Sequence, residues 1–147
     1  MNIRAMMVST LAALLLTAAG PLAPAPAQTQ ADGRTRVFDA SVDRVWAVTR
    51  STLQSLGWGI DKEDRNVGWI RTDSRRLEGE DYGVYAKGTK QRLRLVIKAV
   101  DNSRTSVTVE RRVWKEERIL WMDKDEDIPA TDSKVETSIL DAIAQGL

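Results

Sequence analysis

"SVDRVWAVTRSTLQSLG", residues 41–57, decides how the rest of the chain is read. Val42, Val45, Trp46, Thr49, Leu53 and Leu56 recur at spacings of three and four, which puts one apolar stripe on a helix of about four turns. Ser41 has a side chain suited to capping the first turn, and Asp43 stands where the helix dipole favours an anion. Gly57 lies just past the last apolar position and closes the segment. Arg44, Arg50 and Gln54 fall off the stripe, so the helix has one side for water and one for a partner layer.

The flanks supply that layer. Upstream, "TRVFDA" reads as a strand on the strength of Val37 and Phe38. Downstream, the runs 58–62 and 67–73 are short and β-rich, and Asp64-Arg65-Asn66 between them favours a turn, so 58–73 is expected to be a hairpin. Residues 74–91 hold three glycines and mixed charge, with Tyr82 and Tyr85 as their large apolar groups, and read as a long mobile loop of the kind that carries function.

"RLRLVIKAV", 92–100, alternates: Leu93, Leu95, Ile97 and Ala99 to one side, Arg92, Arg94 and Lys98 to the other. Asp101-Asn102-Ser103 makes a turn into a second long strand with Val107, Val109 and Val113 facing inward. Arg111 falls on that inward side, which points to a bulge or a strand end. "MDKDEDIPATD" reads as an acidic connection stopped by Pro129. Ser133 and Glu136 have capping-box spacing, and Val135, Ile139, Leu140 and Ile143 mark a helix to the C-terminus. The expected fold is α+β: an antiparallel sheet of about five strands with a long N-terminal helix and a C-terminal helix packed on one face.

Ahead of this single domain, expected over 35–147, Met1 to Arg4 is a short basic start to an apolar run from Ala5 to Ala19. The run is too short to span a bilayer, and Ala25-Pro26-Ala27 fits a small-x-small cleavage site, so residues 1–27 resemble a cleavable export signal and 28–34 a loose mature N-terminus. Cleavage would remove Arg4 from the 22 basic residues and none of the 21 acidic ones, leaving a neutral domain. Nothing in that balance favours nucleic acid as a partner. Cysteine and histidine are both absent, which removes thiolate and imidazole chemistry, ordinary zinc and haem ligation, and a thioether lipid anchor.

The remaining motifs are weak. In "DKEDRN", 61–66, Asp61 and Glu63 would share a strand face, but Lys62 and Arg65 offset them, and a solvated turn is the simpler reading. In "DKDEDIPATDSK", 123–134, the alternate aspartates start like a calcium loop, yet the sixth position is Ile128 and the twelfth Lys134. No cofactor, metal or catalytic motif is expected. Five tryptophans against one phenylalanine is the strongest compositional signal, because tryptophan couples a large apolar body to one donor and concentrates where proteins meet. Trp46 belongs to the core stripe; at least one of Trp58, Trp69, Trp114 and Trp121 is expected at a rim.

With helix and hairpin placed, 36–73 resembles the helix-grip domain of the BamC outer-membrane assembly lipoproteins. The likeness rests on Asp43 to Trp46, Leu56-Gly57, Asp64-Arg65 and Gly68-Trp69. It implies a helix-grip sheet and a non-catalytic role assisting barrel-protein insertion, although the family's lipidation cysteine and second domain have no counterpart here. The expected function is therefore a periplasmic accessory domain that binds an envelope protein. Trp69, Tyr82 and Tyr85 are the expected apolar contacts, and Arg92, Arg94 and Arg112 the orienting basic strip. The rival reading is a carrier of a small apolar ligand between helix and sheet, as in START-like helix-grip proteins.

Overall fold

The structure is a computed structural model and describes residues 34–147; the expected export signal and residues 28–33 lie outside the described residues. The elements run β1 (Thr35–Phe38), α1 (Val42–Ser55), β2 (Ile60–Asp64), β3 (Trp69–Thr72), β4 (Arg75–Asp81), β5 (Tyr85–Ala99), β6 (Thr105–Ile119), β7 (Met122–Ile128) and α2 (Lys134–Gly146). This is an α+β chain with one antiparallel sheet of seven strands and two helices.

α1 forms where the stripe places it. The Ser41 hydroxyl accepts from the Arg44 N–H, and Gly57, in left-handed backbone, ends the helix. Val45, Trp46, Thr49, Thr52 and Leu53 are buried. Leu56 was expected on the stripe but is exposed, because it sits in the cap, where the backbone has already left the helical path.

The 58–73 hairpin is also where expected. Asp64 Oδ1 accepts from the N–H groups of Asn66 at 3.0 Å and Val67 at 3.1 Å, and the Gly68 N–H returns to the Asp64 carbonyl at 2.8 Å. Gly68 has φ +84°, and a Cβ there would come within 2.4 Å of the Ile97 carbonyl oxygen. Glycine lets β3 dock against β5, and the Gly68 carbonyl accepts from the Ile97 N–H.

β5 and β6, 15 residues each, form the spine. The sheet order β1-β6-β5-β3-β2 describes one end of that spine, while β4 pairs with β5 and β7 with β6 at the other. Among the described residues, helices cover only the first end. Leu93, Leu95, Ile97, Val107 and Val109 pack there against Val45, Trp46 and Leu53 of α1 and Ile139, Leu140 and Ile143 of α2. Removing one such side chain from water contributes about 1.5–3 kcal/mol, which sets the register of the spine.

Four expectations need correction. The sheet has seven strands rather than about five, since 74–91 is no loop: it contains β4 and the start of β5. The acidic connection after Trp121 is largely β7. Arg111 marks no bulge; register is continuous from Tyr85↔Ile119 to Ala99↔Thr105, and the side chain is neutralised by Glu136. The capping box is not formed either, because Ser133 makes no side-chain cap bond and Glu136 is drawn to Arg111 instead.

Candidate protein-binding face

Side chains that alternate away from the helices make an open face. Directly paired residues share a face, so the pairings Arg92↔Arg112, Arg94↔Glu110, Arg71↔Arg94 and Trp69↔Val96 bring β3, β5 and β6 side chains into adjoining rows. Arg71, Arg92, Arg94 and Arg112 line one cavity of about 290 Å³ together with Glu110.

Two tryptophans frame these arginines. The Arg94 guanidinium carbon lies 6.0 Å from the centre of the Trp69 ring, and those of Arg92 and Arg112 lie 5.9 and 4.9 Å from that of Trp114. Three of the arginines have carboxylate partners: Arg71 with Asp61 at 2.8 Å, Arg94 with Glu110 at 3.2 Å and Arg112 with Asp127 at 2.7 Å. Arg92 has none among the described residues, and its Nε is buried without a hydrogen-bond partner. A guanidinium is a rigid fork of donors suited to bidentate carboxylate binding. The face thus presents one unused fork among partnered ones, between aromatic walls.

The six residues expected to bind a partner fall into two groups. Trp69, Arg92, Arg94 and Arg112 are brought together on this face, with Arg92 and Arg112 directly opposite each other. Tyr82 and Tyr85 are exposed and lie away at the far end of the spine, Tyr85 seven residues along β5 from Arg92 and Tyr82 in the turn before it. Sequence reasoning missed Arg71, which enters only through the β3–β5 register; Trp114, one of the four tryptophans weighed for a rim place, was not among the six expected contacts, and it lies against Arg92 and Arg112 while only 5% exposed.

The acidic stretches are dispersed. A bulge between Ile60 and Lys62 breaks the alternation that would have put Asp61 and Glu63 side by side: Asp61 bonds Arg71, whereas Glu63 pairs with Arg50 on α1 at 3.1 Å. On β7, Asp123 pairs with Arg118 and Asp127 with Arg112. Among the described residues no group of three or more histidine, cysteine, aspartate or glutamate side chains could hold a metal ion.

Further along the open face, the Glu116 carboxylate is buried and shared between Lys90 at 2.7 Å and Arg76 at 3.0 Å. Nearby, the Gly83 N–H, then Arg118 and Arg76, hold the Asp81 carboxyl below the usual carboxylate range. Its neighbour Asp123, by hydrogen bond and by charge, pushes the Arg118 guanidinium above its ordinary value. These contacts tie β4, β5, β6 and β7 together where no helix lies beneath them. No protein-family model matches the chain, and no curated protein matches it.

Proposed function

We propose that the chain is a non-catalytic, exported accessory domain of the periplasm that acts by binding an envelope protein, in the manner of a BamC-like helix-grip domain in outer-membrane protein assembly. The observation that carries this reading is Arg92, a guanidinium with no carboxylate of its own among the described residues, set among Arg71, Arg94 and Arg112 and flanked by Trp69 and Trp114. A partner segment that offers a carboxylate and an apolar side chain would satisfy the fork and cover the Trp69 ring together. Two helices lying on one face of an antiparallel sheet, with no described helix on the opposite face, support the helix-grip resemblance.

A carrier of apolar ligands would need room between helices and sheet. Leu53, Ile70, Leu93, Leu95, Leu140 and Ile143, each under 2% exposed, occupy that space. The contact surface is therefore the reading to test. Cross-linking in envelope extracts followed by pull-down should recover a defined partner with the natural chain, and Arg92→Glu with Arg94→Glu should reduce recovery at least tenfold. Equal recovery by the charge-reversed chain would end the proposal, and lipid co-purifying in native mass spectra would favour the carrier instead.

A further inference from the structure

At the end of the spine away from the helices, two turns meet. The Leu120 N–H donates to the Val84 carbonyl at 2.6 Å, which joins the β4–β5 turn to the β6–β7 turn. What they present is apolar. Trp121 is 85% exposed, and Tyr82, Val84 and Leu120 are exposed beside it. Just behind them, the pairings Tyr85↔Ile119 and Ile119↔Met122 set one row of exposed apolar side chains across three strands. Leu120 also has φ +59°, left-handed backbone that disfavours a leucine, so local energy is given up to hold this turn in place.

We propose that this double turn is a lipid-docking tip, which seats its tryptophan and tyrosine at the headgroup level of a membrane and its aliphatic side chains just beneath. Three observations select a lipid surface over a protein partner. The first is shape. The apolar groups form a row on one face and also cap the end of the sheet, so a rigid surface of the roughly 800 Å² that a stable partner buries would cover one side only, whereas a fluid apolar phase covers all of it.

The second is the state of the backbone. Entry into an apolar phase is costly for free amide groups. In this tip the N–H groups of Tyr82, Gly83, Val84 and Leu120 are already bonded, to the Tyr85 carbonyl, the Asp81 carboxylate, the Tyr82 carbonyl and the Val84 carbonyl. The Gly83 carbonyl accepts from Arg118 at 3.3 Å.

The third is charge. The two rungs behind the tip carry Glu80, Asp81, Glu117 and Asp123 against Lys87, Arg118 and Lys124, four acidic groups to three basic, partly paired with one another. That belt stays in water and selects neither a charged protein nor anionic lipid. One strand residue plus a turn reaches about 5–7 Å beyond the belt, the depth of an interfacial rather than a spanning element. No described helix is long and apolar enough to cross a membrane.

Residues 1–33 contain no tryptophan, Trp46, Trp58 and Trp114 are buried, and the half-buried Trp69 stands on β3 at the helix-backed end of the spine, so the quenching by brominated lipid that Trp121→Phe removes reads the tip and not the apolar N-terminal run. Brominated phosphatidylcholine vesicles should quench the natural chain, and Trp121→Phe should abolish the effect. Tyr82→Ser with Met122→Ser should weaken the partition at least several-fold while circular dichroism stays unchanged. Adding phosphatidylglycerol should alter the partition by less than about twofold. Absence of quenching, undiminished quenching in Trp121→Phe, a tenfold rise with anionic lipid, or self-association that Trp121→Phe abolishes would each overturn the proposal. Arg92→Glu with Arg94→Glu leaves this readout unmoved, so the two proposals fail separately.

Discussion

Arg111 and Glu136 show how a single pair decides whether a helix can sit on a sheet. Arg111 points to the helix side of β6, where a free guanidinium would be untenable, and its side chain is 9% exposed. Glu136, 1% exposed, meets its Nε at 3.2 Å, and the Asp132 carbonyl accepts from Nη2 at 2.6 Å. Arg111→Met leaves the Glu136 carboxylate buried without its cation and should cost about 3–5 kcal/mol. Arg111→Met with Glu136→Leu should regain most of that loss, because an apolar pair of similar volume avoids desolvating two charges. Urea denaturation midpoints of the three chains check this, and a double variant no better than the single one would show that the pair contributes by geometry alone.

Asp101 in the β5–β6 turn is the second case. The Ser103 N–H first, then the Arg104 side chain and the Ser103 hydroxyl, stabilise its carboxylate and lower its pKa to about 2. A depressed acid contributes stability that is full above its unfolded value near 4 and is lost as pH falls through its folded value. Denaturant midpoints measured from pH 5 to pH 2 should therefore fall more steeply for the natural chain than for Asp101→Asn, whose side chain does not titrate. Parallel slopes would show that the turn survives protonation.

Among the elements, legibility followed apolar pattern. α1, the β2–β3 hairpin and the alternating part of β5 and β6 each bury one face, and that face wrote its period into the residues. β4 ("RRLEGED") and β7 ("MDKDEDI") bury almost nothing, so their residues carry no such period and resemble loops. Backbone ladders to β5 and β6 hold them, with ion pairs such as Arg118–Asp123 and Arg112–Asp127, which depend on a register that exists only after the spine has formed. The site divides the same way. Arg92, Arg94 and Arg112 were visible because the strand alternates, whereas Trp121 became a tip residue only once two stretches that read as loops turned out to be hairpin arms.

At the scale of the molecule, β5 and β6 carry a helix-backed platform at one end and a charged, two-sided extension at the other. Arg92 and Tyr85 are seven strand residues apart, about 23 Å, with the buried Glu116 network between them. That separation exceeds the range over which substitutions without shared partners usually couple. Charge reversal at Arg92 and Arg94 should reduce cross-linking to the envelope partner at least tenfold and leave lipid quenching intact. Substitution of Tyr82, Trp121 and Met122 should do the opposite. A chain carrying both sets should show the two losses side by side, additive within about 0.5 kcal/mol for each binding equilibrium. The Glu116 network, set on the β5–β6 ladder between them, is a side-chain route by which the ends could communicate. If tip substitutions altered partner affinity by more than that margin, and Glu116→Gln removed the effect, the spine would be a coupling element and not a spacer.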